Sequence, residues 1–221
     1  MVDAEGSWDA EYRAGRYAGE RPVAFVQDIL RCANAVGLPP ARGLYIGCGN
    51  GRNYLPLVAG GLDLVGLDVS RVALEQLAAR APERAGDLVH GDLDALPADA
   101  TFSIVIGIQV FQHGREHEAH AHVAAALRRL APGGLFCIRV NAVGTDLAHE
   151  YRVVERNVDG GFTVEYLSGP KNGLAIHFFA AAELARLLST LEPLLPVRVQ
   201  ATHRRPPGQG RWLQWEGIWR R

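Results

Sequence analysis

The first 140 residues alternate between two hydrophobic periodicities, and this alternation limits the folds open to the chain more than any other feature. Short apolar and β-branched runs predict strands at 44–47, 62–68, 87–92, 101–108 and 134–140. Helical spacing appears between and before them, at 23–36, 51–59, 71–80 and 116–130. Because strands this apolar have no face suited to water, the pattern predicts a parallel sheet covered by helices on both sides.

The alternation of strand and helix periodicities ends after residue 140. Residues 151–178 contain two strand-like runs around a Gly/Pro/Asn turn, which predicts a hairpin. A helix is predicted at 180–191, and two final strands at 196–203 and 210–221. The loop RRPPGQG between these strands is too short for a crossover helix, so we expect the two strands to run antiparallel.

Composition excludes several classes of protein. With 221 residues, of which 48% are hydrophobic and 21% charged, the chain is predicted to bury one sizeable core rather than to be disordered. Lys+Arg (23) and Asp+Glu (24) balance, so neither nucleic acid nor a membrane surface is expected as a partner. No apolar run approaches the roughly 20 residues of a membrane span, and the N-terminus lacks a signal-peptide pattern. Three cysteines without a pairing motif favour a reduced, cytoplasmic location. The chain is expected to be a monomer or a homodimer.

A glycine-rich loop at 44–53 follows the first predicted strand and opens the next helix. Its glycines permit a tight turn and close approach of a ligand, while free N–H groups at the helix start attract an anion. Asp68 lies 21 residues after Gly47 and ends the second strand, where a carboxylate can accept hydrogen bonds from a ribose diol. Asp92 ends the third strand, beside the crevice where an adenine would lie. Together these features describe an adenosine-shaped site, although each alone is compatible with an ordinary turn or a helix cap.

Five segments resemble, in order, the motifs of class I S-adenosylmethionine-dependent methyltransferases: YIGCGNGRN, LVGLDVS, GDLDALP, FSIVIGIQVFQH and LRRLAPGGLFCIRV. The loop has the family's GxGxG spacing, whereas a dinucleotide loop would have GxGxxG, and Arg52 occupies that last glycine position. GCGNGRN is further similar to tellurite-resistance-type methyltransferases. One departure is Tyr45, which stands where the family often has an acidic residue.

The resemblance covers roughly 40–140 and implies an α/β fold. It would be a Rossmann-like, seven-stranded, mostly parallel sheet with an antiparallel C-terminal strand and helices on both faces. We expect one methyltransferase domain over 1–221. Its parts would be an N-terminal helical cap (1–40), a donor-binding core (41–140), an inserted substrate-side region (141–178) and a C-terminal helix with antiparallel strands (179–221).

The resemblance also implies a methyl donor, S-adenosylmethionine, with S-adenosylhomocysteine as product. Gly47, Cys48 and Gly49 would wrap its methionine part, Asp68 would hold the ribose, and Asp92 would accept from the adenine amino group. The complete set of implied donor-binding positions is Tyr45, Gly47, Cys48, Gly49, Asn53, Asp68, Val69, Asp92, Leu93, Gly107, Ile108 and Gln109.

Methyl transfer from a sulfonium is an in-line displacement in which positioning supplies much of the rate, so a general base is optional. Where the acceptor must lose a proton, His113 is the candidate base, because it lies just beyond the fourth strand. A loop histidine without a catalytic role is the alternative. The candidate acceptor-side residues, each of which has a plain packing role as its alternative, are Trp8, Tyr12, Tyr17, Gln112 and Tyr151.

The question of a metal site is also raised by His113, Glu116, His117, His120 and His122. His113, His117 and His120 are spaced i, i+4, i+7 and could share a helical face. The same segment must supply the solvent-exposed half of a helix, and no cysteine or second ligand cluster accompanies it. We therefore assign no metal from the sequence.

The predicted function is methyl transfer to a small molecule through O, N, S or a metalloid. The alternative from another class is a non-catalytic S-adenosylmethionine-binding module that regulates a partner. A nicotinamide-dependent oxidoreductase would require the glycine spacing GxGxxG, which this loop lacks.

Overall fold

The computed structural model describes residues 4–203 and 210–221. Within them the α-helices are α1 (Ala4–Arg13), α2 (Phe25–Val36), α3 (Tyr54–Ala59), α4 (Arg71–Arg80), α5 (Glu116–Arg128) and α6 (Ala181–Leu187). The strands are β1 (Gly43–Ile46), β2 (Leu64–Asp68), β3 (Leu88–His90), β4 (Phe102–Ile108), β5 (Leu130–Asn141), β6 (Tyr151–Arg156), β7 (Phe162–Tyr166), β8 (Ala175–Phe178), β9 (Glu192–His203) and β10 (Arg211–Arg220). Two short 3-10 helices occupy Pro82–Asp87 and Leu93–Ala95.

Seven of these strands form one sheet in the order β3-β2-β1-β4-β5-β10-β9. β1 pairs with β2, and β2 with β3, in parallel, whereas β10 pairs with β9 antiparallel. Helices surround this sheet, which has the order expected of a Rossmann-like methyltransferase fold. The predicted fold class is therefore confirmed.

A second sheet contains β6, β7 and β8, all antiparallel. The predicted hairpin is present as β7 and β8, and β6 adds a strand that the sequence pattern did not indicate. Most β6 side chains are exposed or half-buried, so β6 lacks the alternation by which a strand is recognised. The cluster beneath this sheet consists of Val164, Tyr166, Ile176 and Phe178.

The chain divides into two compact units. The first unit comprises residues up to 106 together with 126–136, and the second comprises 107–125 together with 137–221. The expectation of one domain over 1–221 stays a prediction. Across the described residues, no helix is long and apolar enough to cross a membrane.

The first unit contains β1 and β2, whose buried side chains explain the near-continuous apolar runs in the sequence. All four residues of β1 are buried, and β2 is buried except at Val65. α4 begins immediately after β2, where the side chain of Ser70 accepts a hydrogen bond from the Ala73 N–H at 3.1 Å. This serine cap fixes the start of the helix that follows Asp68.

The starts of two strands, β9 and β5, differ from the sequence expectation. β9 begins at Glu192, ahead of the predicted 196. β5 begins at Leu130, so the APGG segment lies within the strand rather than before it, with Gly133 at φ +75°. The loop RRPPGQG lies outside the described residues except for its last glycine.

Candidate functional site

The glycine loop after β1 has a left-handed backbone at the positions that the motif predicts. Gly47 has φ +70° and Gly49 has φ +55°, values that side-chain-bearing residues rarely adopt. A Cβ atom at Gly49 would fall on the hydroxyl of Tyr12. Gly49 is therefore required both for its backbone angles and for the close approach of another group.

Asp68 ties the end of β2 to this loop. Its Oδ2 accepts the Gly49 N–H at 2.7 Å, and its Oδ1 accepts the Ser70 N–H at 2.8 Å. Burial raises the pKa of Asp68 and outweighs the opposing effect of these two backbone hydrogen bonds. Each carboxylate oxygen can accept a second hydrogen bond, so the side chain can still receive the hydroxyls of a ribose.

The other residues at the ends of β2 and β3 contact the protein itself. Asp92 is exposed and caps the second 3-10 helix, with Oδ1 accepting the Asp94 N–H at 2.9 Å. The carbonyl of Val69 lies 3.1 Å from His90 Nε2, and that of Leu93 accepts a hydrogen bond from an Arg129 guanidinium nitrogen at 3.0 Å. Asp92 thus has the capping contact that the sequence left open as its alternative role.

Tyr45, Cys48 and Asn53 are buried in the first unit. The Tyr45 ring lies edge-on to the Tyr54 ring, with centroids 6.3 Å apart. Asn53 Oδ1 accepts the Val23 N–H at 3.0 Å. Burial raises the pKa of the Cys48 thiol well above its ordinary value, which makes it a poor nucleophile.

Helix α1 is fixed to the start of α4 by a residue that sequence analysis missed. Asp9 Oδ1 accepts the hydroxyl of Ser70 at 2.7 Å and the N–H of Val72 at 3.2 Å. A hydrogen bond of 3.1 Å from Gln76 Nε2 to the carbonyl of Tyr12 adds a second tie. Because 61 residues separate Asp9 from Ser70, no local sequence pattern predicts this contact.

The N-terminal aromatic residues form one cluster. Tyr12 lies between Trp8 and Tyr17, with ring centroids 6.4 and 6.2 Å away. The guanidinium of Arg16 lies 5.8 Å from the Trp8 ring and 4.8 Å from the Tyr17 ring, so it is held by cation–π contacts. Tyr17 has φ +60°, a strained conformation for a non-glycine residue. Arg16 is a second residue that sequence analysis missed.

In the second unit, the end of β4 carries a similar strain. Gln109 has φ +61°, and its N–H donates to the Arg139 carbonyl at 2.7 Å. A Cβ at Gly107 would clash with the Phe111 ring, whereas Ile108 is a buried strand residue. Such non-glycine strain persists where surrounding structure enforces it, and it concentrates at functional sites.

Gln112 and His113 follow directly on this turn. Gln112 is buried, and its Oε1 has no hydrogen-bond partner within residues 4–203 and 210–221. His113 Nε2 lies 3.3 Å from the carbonyl of Gln109, so Nε2 carries the proton that this contact needs. Tyr151 lies on β6 opposite Tyr166 and is 42% exposed.

Of His113, His117 and His120, only His120 belongs to the cluster of possible metal ligands that the described residues contain. His117 and His122 are exposed, and His120 meets two residues from other elements of the second unit, His177 and Glu183. Burial acts to raise the pKa of Glu183, but hydrogen bonds with His120 and His177 outweigh it and lower the pKa to about 2. The carboxylate is therefore ionised across the physiological range.

Comparisons with known proteins find methyltransferases, both by sequence and by fold. Residues 44–134 match the family model of the methyltransferase domain. A cypemycin N-terminal methyltransferase from a Streptomyces species is 32% identical over 93 residues, which is 41% of this chain. The matched segment spans only 38% of that relative's length.

Solved structures resemble the chain over nearly its whole length. The Burkholderia thailandensis 1,6-didemethyltoxoflavin-N1-methyltransferase, with bound 1,6-didemethyltoxoflavin and S-adenosylhomocysteine, has a TM-score of 0.67 at 19% identity. This likeness covers 98% of this chain and 86% of that one. TehB from Haemophilus influenzae has a TM-score of 0.64 at 15% identity, covering 97% and 67% of the two chains. Residues 44–134 thus match a methyltransferase domain, and the described residues share the fold of solved methyltransferases.

Proposed function

We propose that this protein transfers a methyl group from S-adenosylmethionine to a nitrogen atom of a small molecule. The observation that carries the proposal is the joint arrangement of Asp68 and Gly49. The buried carboxylate holds the glycine loop by its N–H while each oxygen keeps capacity for a hydroxyl. A ribose diol is the group that such a carboxylate would bind.

The residues of the first unit fit this donor. Gly47 and Gly49 add no side chain to the loop, and Asp68 would receive the ribose hydroxyls. The aromatic cluster around Tyr12 reaches Gly49 and would cover the bound donor on that side. When bound, the donor supplies an activated methyl group on a sulfonium, so the protein's own task is to hold and orient the reactants.

Nitrogen is favoured as the methyl acceptor by two lines of support. The cypemycin relative is named as an N-terminal methyltransferase, and the Burkholderia neighbour as an N1-methyltransferase. In this chain Gln112 offers a buried, unpartnered amide oxygen among the described residues. An N–H of the acceptor would satisfy that oxygen, which otherwise bears a desolvation cost of about 1–3 kcal/mol.

His113 is the residue that we propose for proton removal. A nitrogen that carries an extra proton must lose it before or during methyl transfer, and a histidine near neutral pKa suits that step. The contact of Nε2 with the Gln109 carbonyl orients the ring and assigns its proton to Nε2. Nδ1 would then accept the proton from the acceptor.

A methyl-transfer assay tests the proposal. The purified chain is incubated with methyl-labelled S-adenosylmethionine and matched panels of amines, N-heterocycles, alcohols, thiols and tellurite. We expect label to enter nitrogen compounds, with S-adenosylhomocysteine released in equal amount. Transfer to oxygen, sulfur or tellurite instead would overturn the choice of acceptor. S-adenosylhomocysteine binding with no transfer to any panel would favour the non-catalytic module.

A further inference from the structure

Three side chains that can bind a metal, two histidines and one glutamate, meet in the second unit, away from the glycine loop in sequence. His120 on α5 and His177 on β8 each place Nε2 beside one oxygen of Glu183, in the first turn of α6. The distances to Glu183 Oε1 are 2.5 Å from His120 and 2.8 Å from His177. One ligand atom from each of the three residues lies within 4.8 Å of the other two.

The cluster is oriented by hydrogen bonds from outside it. His177 and Glu183 are fully buried. Glu183 Oε2 accepts the N–H of Ala180 at 3.1 Å, which leaves Oε1 for the histidines. Thr163 Oγ1 lies 2.9 Å from His177 Nδ1 and so fixes the ring with Nε2 directed at the carboxylate. Metal-bound histidines are typically held in this way through their second nitrogen.

His177 Nε2 donates a hydrogen bond to the carboxylate of Glu183, with Nε2 2.8 Å from Oε1. A divalent cation would replace the proton of this hydrogen bond and bind the nitrogen and the carboxylate oxygen together, so metal binding there would release a proton.

One side of the cluster opens onto a cavity of about 330 Å³. The residues lining the cavity are Glu116, His117, His120, Glu155 and Arg156. His120 belongs to both the cluster and the cavity wall, and its side chain is 21% exposed. Glu116 Oε1 lies 4.0 Å from His120 Nε2 and offers a further oxygen on the open side.

We propose that His120, His177 and Glu183 form a divalent transition-metal site whose open coordination position faces this cavity. Two imidazoles and one carboxylate suit Zn²⁺ best among common cations, whereas Mg²⁺ and Ca²⁺ prefer oxygen ligands. With bonds of about 2.0–2.1 Å to a tetrahedral Zn²⁺, neighbouring ligand atoms lie roughly 3.3 Å apart. Relative to Glu183 Oε1, His120 Nε2 would therefore move away by roughly 0.8 Å and His177 Nε2 by roughly 0.5 Å. The partly exposed His120 can accommodate the larger of these changes. The site does not depend on the proposed methyl transfer.

Calorimetry with Zn²⁺ tests this site in the full, untagged chain after treatment with chelator. We expect one saturable equivalent, proton release on binding, and a rise in the melting temperature. His120→Ala is the main variant, because this residue is the least buried of the three and the fold should survive its loss. Loss of an outer hydrogen-bond partner alone costs roughly 10–100-fold in metal affinity, so loss of this ligand should cost about 100-fold or more.

His122→Ala is the matched control, since His122 is an exposed histidine on the same helix, and we expect its affinity for Zn²⁺ to be unchanged. Glu183→Gln provides a second ligand variant that keeps the size of the side chain. Circular dichroism verifies that each variant is folded. The proposal is overturned if the wild type binds no Zn²⁺ stoichiometrically, or if His120→Ala binds it as tightly as His122→Ala. The cluster would then be a protonated ion-pair network without a metal.

Discussion

The backbone N–H of Gly49 donates a hydrogen bond of 2.7 Å to the carboxylate of Asp68, which joins the loop after β1 to the end of β2. Two motifs separated by 19 residues thus form one unit of structure. Burial of the carboxylate raises its pKa, so its ionised form is retained at a cost. Binding of a ligand by the carboxylate would offset this cost of burying a charge.

Replacing Asp68 should weaken binding of the donor product sharply. Hydrogen bonds to a charged acceptor are worth about 1.5–3 kcal/mol, so Asp68→Ala should lower the affinity for S-adenosylhomocysteine by roughly 10–150-fold. Isothermal titration calorimetry measures this directly. Asp99→Ala, at an exposed position, is the control and should bind like the wild type. Equal affinity of both variants would remove Asp68 from the ribose site.

Gly49→Ala should abolish donor binding while leaving the chain folded. The new Cβ would collide with the Tyr12 hydroxyl, and the alanine would have to adopt φ +55°. Gly37→Ala separates these two effects, because Gly37 has φ +64° but open space around its Cβ position. Both variants should lose about 1–2 kcal/mol of stability to backbone strain. Only Gly49→Ala should lose affinity for S-adenosylhomocysteine. If Gly49→Ala binds S-adenosylhomocysteine like the wild type, the loop has no part in donor binding.

Asp9 should make stability depend on pH in the acidic range. The Ser70 hydroxyl is the main cause that lowers the pKa of Asp9, with burial opposing it and the Val72 N–H assisting. Since its folded pKa lies below its unfolded value, the ionised side chain stabilises the fold above about pH 4, and this stabilisation is lost as the pH falls through the folded pKa.

Denaturant unfolding of wild type and Asp9→Asn across a pH series measures this contribution. The wild type should be the more stable protein near neutral pH, and the difference in free energy of unfolding should shrink below about pH 4. A difference that stays constant down to the lowest pH would show that the charge of Asp9 has no part in fixing α1.

His113→Gln should separate catalysis from donor binding. If His113 removes a proton, kcat should fall by about 100-fold or more and the acidic limb of the pH–rate profile should disappear. Affinity for S-adenosylhomocysteine should stay unchanged. His122→Gln, at an exposed site on α5, should retain full activity. Wild-type kcat in His113→Gln would mean that the acceptor reacts in an already deprotonated form.

The sheet was predictable from the sequence because its signals are local. β1, β2 and β4 are short, buried runs, and Ser70 marks the start of α4 by its position directly after β2. β6 escaped because its exposed and half-buried residues carry no strand alternation. Local periodicity therefore identified the buried strands, whereas β6 gave no such signal.

The site was predictable only where a motif spans a few residues. The glycine loop and Asp68 follow from spacing, whereas the contact of Asp9 with Ser70 bridges 61 residues and the contact of His120 with Glu183 bridges 63. The i, i+4, i+7 spacing indicated that His113, His117 and His120 could share one helical face. In the structure His120 instead contacts His177 and Glu183, which lie on other elements. Helical spacing carries no information about partners from distant parts of the chain.

Titration of the wild-type chain with S-adenosylhomocysteine and, in parallel, with NAD tests the central claim most directly. The GxGxG loop and the carboxylate of Asp68 predict saturable binding of one equivalent of S-adenosylhomocysteine, with no competition from NAD. Absence of S-adenosylhomocysteine binding by a folded chain, or its displacement by NAD, would contradict the account.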